Sequence, residues 1–357
     1  MKIAIIQPTI PYYREEFFKY LKDYADIDLY VFKKDEIVKK EHTKLSSLKT
    51  INISNMVVKG LLLYNPFPLI SSSHKYDIIV LMLDKSHITT WLLLLTKWLH
   101  KKKIILWGQG ISVKRYLKEE VNPDSQLISM MKRADGIWLY MEKEYNQISK
   151  IITNKPIVAL NNTITGIEKI LTYKGNKSLA KEKYKIKEDI IFIFCARFES
   201  NYRRIDLLID IIKKLDNNKY GFIIIGDGKN KPDFSSFKNV YDFGTVYDTT
   251  VKSELFSAAD IYLQPGWMGL SVVEAMAYKL PIFTFIRSEE TKQCVEYSYI
   301  KDEINGCIFK DVHDFELRLN NMKNSRFKEM GNESYNLAKK LTPYNMAKHA
   351  IKVIEEI

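Results

Sequence analysis

QPGWMGLSVVEAMAYKLP, from Gln264 to Pro281, reads as the end of a strand, a glycine-bearing loop and a helix. The short apolar run Ala259-Asp260-Ile261-Tyr262-Leu263 supplies the strand, and Pro265-Gly266 ends it. Ser271 stands where a helix cap belongs, Glu274 lies three residues on, and Pro281 follows the helix. A helix that opens behind such a turn aims unpaired N–H groups and the positive end of its dipole at the loop, a setting for a phosphate. Glu274, one turn in, is placed to reach sugar hydroxyls. The same two residues also spell a capping box, in which they serve only the helix.

Upstream, Ile190 to Phe194 is a second apolar strand, running into Cys195-Ala196-Arg197-Phe198. After a short loop, Arg203-Arg204 opens the helix Ile205 to Leu215. A guanidinium holds phosphate oxygens through two donors and does not lose its charge. Two cations at a strand-to-helix loop therefore suit a departing diphosphate. Gly221 to Ile225 ends in the tight turn Gly226-Asp227-Gly228, and Tyr241 to Val246 is a further strand and loop. Strand-like runs alternate with helix-like runs over the whole chain, which implies parallel sheets covered by helices. Lys2 to Ile6, Tyr76 to Leu83, Lys103 to Trp107 and Ile157 to Leu160 are strands of the first half. Loops at the carboxyl ends of such strands bind ligands, so Tyr13 and Arg14, behind the first strand, are candidate ligand contacts. Arg14 reads equally well as a solvated helix residue.

The chain has 357 residues, too many for one ordinary core, so two domains are expected. With 46% hydrophobic and 27% charged residues it has the make-up of a soluble globular protein. Met1-Lys2 leads straight into the first strand, so no signal peptide is expected. Cys195, Cys294 and Cys307 show neither metal-ligand spacing nor an even count, and a reducing cytoplasm is the expectation. The net charge of +12 attracts anionic partners. The lysines are spread along the chain and no nucleic-acid module is visible, so an anionic membrane is a better partner than nucleic acid.

Together these motifs resemble family 4 of the retaining nucleotide-sugar glycosyltransferases, which have the GT-B fold. The family loop reads roughly P-S-x-x-E-G-F-G-L-x-x-x-E-A-M-A-x-G-x-P. This chain keeps Gly269-Leu270, Glu274-Ala275-Met276-Ala277 and Leu280-Pro281, while Gly266 stands at the family's first glutamate. Arg197 and Arg203 match the family arginine and lysine that grip the donor diphosphate. The resemblance implies an α/β protein of two Rossmann-like domains facing each other across a cleft. It places an acceptor domain at 1–165, a linker at 166–188, a donor domain at 189–342 and a returning helix at 343–357. It implies donor contacts from Gly226, Thr245, Val246, Gly269, Leu270, Ser271 and Glu274, with Glu274 on the ribose. Gln109, in Gly108-Gln109-Gly110, replaces a histidine common in related loops; it can hydrogen-bond a sugar but cannot act as a base.

The implied activity is retaining, metal-independent transfer of a hexosyl or N-acetylhexosaminyl group from a UDP- or GDP-linked sugar, with no cofactor. The acceptor is a glycan or lipid-linked saccharide of bacterial surface polysaccharide, met at the inner face of the cell membrane. Gly266 and Gln109 keep open a second reading, a catalytically silent GT-B protein that binds a nucleotide sugar or supports a partner enzyme. Asp26-Ile27-Asp28 has the D-x-D pattern of metal sites but begins a strand. Trp91 to Leu99 is too short to span a bilayer and reads as a buried helix or, with Lys101 to Lys103, as a membrane-surface element. Lys59 to Ile70 reads as an apolar loop, and Asn305-Gly306 as a hairpin turn.

Overall fold

The computed structural model describes residues 1–32, 46–71 and 75–357. It divides into two units, Met1–Thr165 with Thr342–Ile357, and Gly166–Leu341. The first unit holds a seven-stranded sheet. In spatial order its strands are Ile51–Ile53, Asp26–Phe32, Lys2–Gln7, Ile78–Met82, Lys103–Gly108, Gly136–Leu139 and Ile157–Ala159. The second holds a six-stranded sheet, ordered Val240–Asp242, Tyr220–Ile225, Ile190–Cys195, Ile261–Leu263, Ile282–Phe285 and Gly306–Phe309. Every neighbouring pair in both sheets is parallel. Strands covered by helices on both faces are apolar throughout, not alternating. IIFIFC at Ile190–Cys195 and YGFIII at Tyr220–Ile225 follow that rule.

In both sheets the chain works outward to one edge, then crosses back and continues on the other side of its first strand. The order reverses between Lys2–Gln7 and Ile78–Met82 in one sheet and between Ile190–Cys195 and Ile261–Leu263 in the other. Ligands of open α/β sheets sit outside the carboxyl ends of the strands at that reversal.

Residues 166–188, expected as a linker, form two helices of the second unit, Ile167–Leu171 and Lys177–Lys183. Asn176 caps the second of these through its side chain, a local signal masked by the surrounding lysines. The helix Pro343–Glu356 belongs to the first unit. Thr342 caps it, and its stripe of Met346, Ala347, Ala350, Val353 and Ile354 joins the cluster of Ile3, Phe17, Trp107 and Trp138. Gly136 permits that approach, since a Cβ there would collide with Val353.

Three local expectations are corrected. Lys59 to Ile70 is no loop: Asn55–Val58 and Leu61–Tyr64 pair antiparallel, and a short helix, Phe67–Ile70, follows. Trp91 to Leu99 is not a buried helix; it is split between Ile88–Leu95 and Lys97–His100, with Leu92, Leu95, Trp98 and Leu99 exposed. Asn305-Gly306 is not a hairpin turn, because Gly306 opens a strand parallel to Ile282–Phe285. The buried Asn305 side chain instead bonds the backbone of Lys301 and Tyr299.

Candidate active site

The loops that follow the two strands at the second unit's reversal carry Arg197 and Arg203 on one side and Gln264 to Leu270 on the other. The loop after Ile190–Cys195 leads to a single 3-10 turn, Asn201–Arg203, fastened by the Ser200 hydroxyl on the Tyr202 N–H. Arg204 then takes a left-handed conformation (φ 52°) and starts the helix Ile205–Lys214. Its guanidinium is held by Asp206, 2.8 Å away, and by Thr291.

Arg203 meets the opposing loop directly. Its Nη1 donates to the Trp267 carbonyl at 2.6 Å, and the Tyr202 ring stacks on Trp267 with centroids 4.9 Å apart. Burial lowers the pKa of Arg203 below the usual arginine range, and the nearby Arg197 charge adds to the effect. Arg197 itself is exposed. Among the described residues neither guanidinium has a carboxylate at ion-pair distance.

A buried polar frame shapes the opposing loop. Gln293, fully buried, accepts from the Met268 N–H and donates to Pro265, Thr284 and Phe285. Gln264 donates to the carbonyls of Gly266 and Trp267. The Tyr262 hydroxyl lies 2.6 Å from Gln264 Oε1 and 2.8 Å from Ser271 Oγ. Burial pushes the Tyr262 phenol well above its ordinary pKa, so it stays a neutral donor. Burial likewise raises the Cys195 thiol to about 11 and Cys294 to about 12, which leaves both protonated near neutrality.

Ser271 and Glu274 do not form a capping box. The helix Ser271–Ala277 has Leu270 at its cap position, with no side-chain cap bond. The Ser271 hydroxyl is drawn to Tyr262 and Gln264 instead. Glu274 Oε2 pairs with Lys252 Nζ at 2.7 Å, the two side chains 14% and 26% exposed. Burial opposes the Lys252 charge, but Cys195 and Glu274 outweigh it and raise the pKa above the lysine range. Lys252 sits on the helix Thr249–Ala258 and was not singled out from sequence. The one signal was a lysine one turn before the buried Phe256, on the helix's inward side. The N–H groups of Gly269, Leu270 and Ser271 have no partner among the described residues.

Gly226 (φ 138°) abuts the Ala196 carbonyl, where no Cβ fits, and its N–H donates to Gly244 at 2.7 Å. This brings the Gly226 turn beside the Thr245-Val246 loop and the strand end that precedes Arg197. The donor residues expected from sequence thus share one end of one sheet.

In the first unit, Tyr13 and Arg14 follow Lys2–Gln7, and Gln109 follows Lys103–Gly108. Arg14 is not a solvated helix residue: it is 6% exposed, with its guanidinium 4.6 Å from the Trp107 ring and 5.0 Å from Tyr140. Asp26 and Asp28 lie at the opposite, amino end of their strand, both within 3.5 Å of Lys2 Nζ, with Tyr76 also on Asp28. Asp302, Glu303 and Cys307 bring three ligand atoms together, but Arg318 pairs with both carboxylates, and burial raises the Cys307 thiol to about 12. That cluster is arranged around a guanidinium and not a metal ion.

Residues 189–322 match the family model described as Glycosyl transferases group 1. This segment contains every donor-side residue discussed above. No curated protein matches the chain. Among solved structures, HepE of Anabaena in complex with UDP is similar at a TM-score of 0.67 and 10% identity, covering 100% of both chains. A glycosyltransferase from Rickettsia africae gives 0.67 and 15%, covering 99% of this chain and 98% of its own. The lipopolysaccharide outer core galactosyltransferase WaaB gives 0.66 and 16%, covering 99% of each. Two parallel Rossmann-like sheets with these neighbours define the GT-B fold. The chain has that fold, and its second unit carries the Glycosyl transferases group 1 match.

Proposed function

We propose that the protein is a retaining glycosyltransferase that moves a hexosyl or N-acetylhexosaminyl group from a UDP- or GDP-linked donor to a glycan or lipid-linked saccharide. The observation that carries this reading is the pair Arg197 and Arg203, two guanidiniums at a sheet reversal with no carboxylate partner among the described residues. A desolvated cation without a counter-ion calls for an anionic ligand. With Lys252 and Glu274 counted, these groups hold an excess of two positive charges, which suits a nucleoside diphosphate.

In this reading Arg203 and Arg197 stabilise the charge that grows on the leaving diphosphate. The open N–H groups of Gly269 to Ser271 add donors. Lys252 orients Glu274 through Oε2, leaving Oε1 for the ribose hydroxyls. Gly226, Thr245 and Val246 line the nucleotide side. The acceptor oxygen attacks the anomeric carbon on the face the diphosphate leaves, and a diphosphate oxygen takes the acceptor proton. Tyr13 and Gln109 are proposed acceptor contacts, while Arg14, buried against the Trp107 and Tyr140 rings, is proposed to position that loop. Bacterial surface-polysaccharide synthesis at the cytoplasmic face of a membrane is the setting we assign.

Calorimetric titration with UDP and GDP, followed by turnover of their sugars, tests the reading. Saturable binding with transfer or slow donor hydrolysis, unchanged by EDTA, is expected. Loss of turnover in EDTA that magnesium restores would remove the assignment of the diphosphate to the arginines alone. Gly266 favours the silent alternative, because no side chain of any kind fits where the family carries a glutamate. Binding without turnover of any donor would establish that alternative.

A further inference from the structure

The hairpin Asn55–Val58/Leu61–Tyr64 packs against the start of the helix Ile88–Leu95 on the first unit, and Lys97–His100 follows at that helix's far end. Leu62 donates to the Ser86 carbonyl and bridges to His87, the residue before Ile88. The Tyr64 N–H donates to Thr89 Oγ1 at 2.9 Å, and the Tyr64 hydroxyl lies 2.9 Å from Thr90 Oγ1. The helix is apolar on two sides. Thr89, Thr90, Leu93 and Leu94 are buried, while Ile88, Leu92 and Leu95, spaced by four and three residues, face solvent.

The stripe continues to Trp98, 74% exposed, and Leu99, 60% exposed. At the other end of the helix, against Ser86 to Thr90, the hairpin exposes Met56, Val57, Val58 and Leu61. Successive strand residues point to opposite faces, so this ribbon is apolar on both of its faces near the turn. Two-stranded ribbons are marginal in water, and one that shows apolar residues on both faces is suited to a nonaqueous neighbour.

The charges carried by these two segments have one sign, with Lys97 paired to Asp135 from a neighbouring element. From Ser46 to Ser71, and again from Lys85 to Lys103, there is no aspartate or glutamate. Exposed Lys59 stands at the hairpin turn, and exposed Lys101 and Lys103 at the end of the helical segment. Apolar side chains rimmed by cations are the two features that hold a protein in the interface of an anionic bilayer. Among the described residues no helix is long and apolar enough to cross a membrane.

We infer that this face is a monotopic docking surface for an anionic lipid bilayer. The hairpin turn and the Trp98-Leu99 corner enter the headgroup boundary, and Lys59, Lys101 and Lys103 meet the lipid phosphates. The inference rests on the first unit alone and on no assignment of activity.

The test is flotation with vesicles of phosphatidylglycerol and phosphatidylcholine against phosphatidylcholine alone, at low and high salt. The full chain should float with the anionic vesicles, and high salt should weaken the binding without abolishing it. Two variants are compared, Met56→Ser/Val58→Ser/Leu61→Ser on the hairpin and Trp98→Ser/Leu99→Ser on the helix. Each should lower the partition coefficient on the order of tenfold or more. Melting curves serve as the check on folding, and the second variant stands if the hairpin triple fails that check. Brominated lipid should quench tryptophan emission in the wild type, and Trp98→Phe should remove most of that quenching. No flotation with anionic vesicles, or flotation unchanged in a folded variant, would overturn the inference. So would a wild-type dimer that becomes a monomer in the variants, since the face would then be covered by a second copy.

Discussion

Replacing Glu274 by alanine separates the ion pair that the structure shows from the ribose contact proposed for the same carboxylate. Oε2 is committed to Lys252 at 2.7 Å, both groups being largely buried. Removing one partner of a fully buried pair costs about 3–5 kcal/mol, because the other charge is left uncompensated. Here the pair is 14% and 26% exposed, so about 1–3 kcal/mol is the fitting range. That is a fall in melting temperature of roughly 2–12 °C for a unit of this size. The second, proposed role is to hold the ribose. A hydrogen bond to a charged group is worth about 1.5–3 kcal/mol, so UDP or GDP affinity should fall about 10- to 150-fold. Lys252→Met with Glu274→Ala tells the roles apart. Removing both charges should recover much of the melting temperature, but it cannot restore a ribose contact. The assay is calorimetric nucleotide titration of wild type, both single variants and the double, with a melting curve for each. Nucleotide affinity within threefold of wild type in Glu274→Ala, with stability recovered in the double variant, would refute the ribose role and leave a structural ion pair.

Arg203→Met should lower transfer on the order of 100-fold while removing a desolvated charge from the fold, so the melting temperature should hold or rise; unchanged turnover would sink the diphosphate assignment. Gly266→Ala should cost roughly 1–3 kcal/mol and misplace the loop, since a Cβ there collides with the Tyr202 carbonyl; a melting curve equal to wild type would show that the loop has room. Glu15 is held down to about 2 by Lys19 first and then by the Ser47 N–H. Its folded pKa is depressed, so its stabilisation is complete above the unfolded value of 4.5 and is lost as pH falls through about 2. Glu15→Gln should therefore melt lower than wild type at pH 6 to 7, and the gap should close toward pH 2; a gap independent of pH would show that its charge contributes nothing.

The parallel strands and the loops that follow them were legible because their signals are local. Ile190 to Phe194 and Gly221 to Ile225 are short apolar runs ended by glycine or an arginine-bearing loop, which is how buried parallel strands announce themselves. Arg197, Arg203 and Glu274 lie at fixed distances from those ends. Lys252 was not legible, because its partner is 22 residues away and meets it only through the packing of two helices. Ser271 misled because its cap spelling competes with a buried Tyr262 hydroxyl that no local pattern reveals. The hairpin at Asn55–Tyr64 was missed for a different reason. Its exposed residues are as apolar as its buried ones, so the alternation by which a half-buried strand is recognised is absent.

The helix Pro343–Glu356 has a consequence for how the chain is made. It completes the core of the first unit against Phe17, Trp107 and Trp138, yet it follows the whole of the second unit in sequence. Domains usually fold in the order of their synthesis. Here the second unit is one continuous stretch that can close by itself. The first lacks the cover over Gly136 until this helix has been synthesised. The half of the molecule that is translated first is thus completed only after the other half has been translated whole.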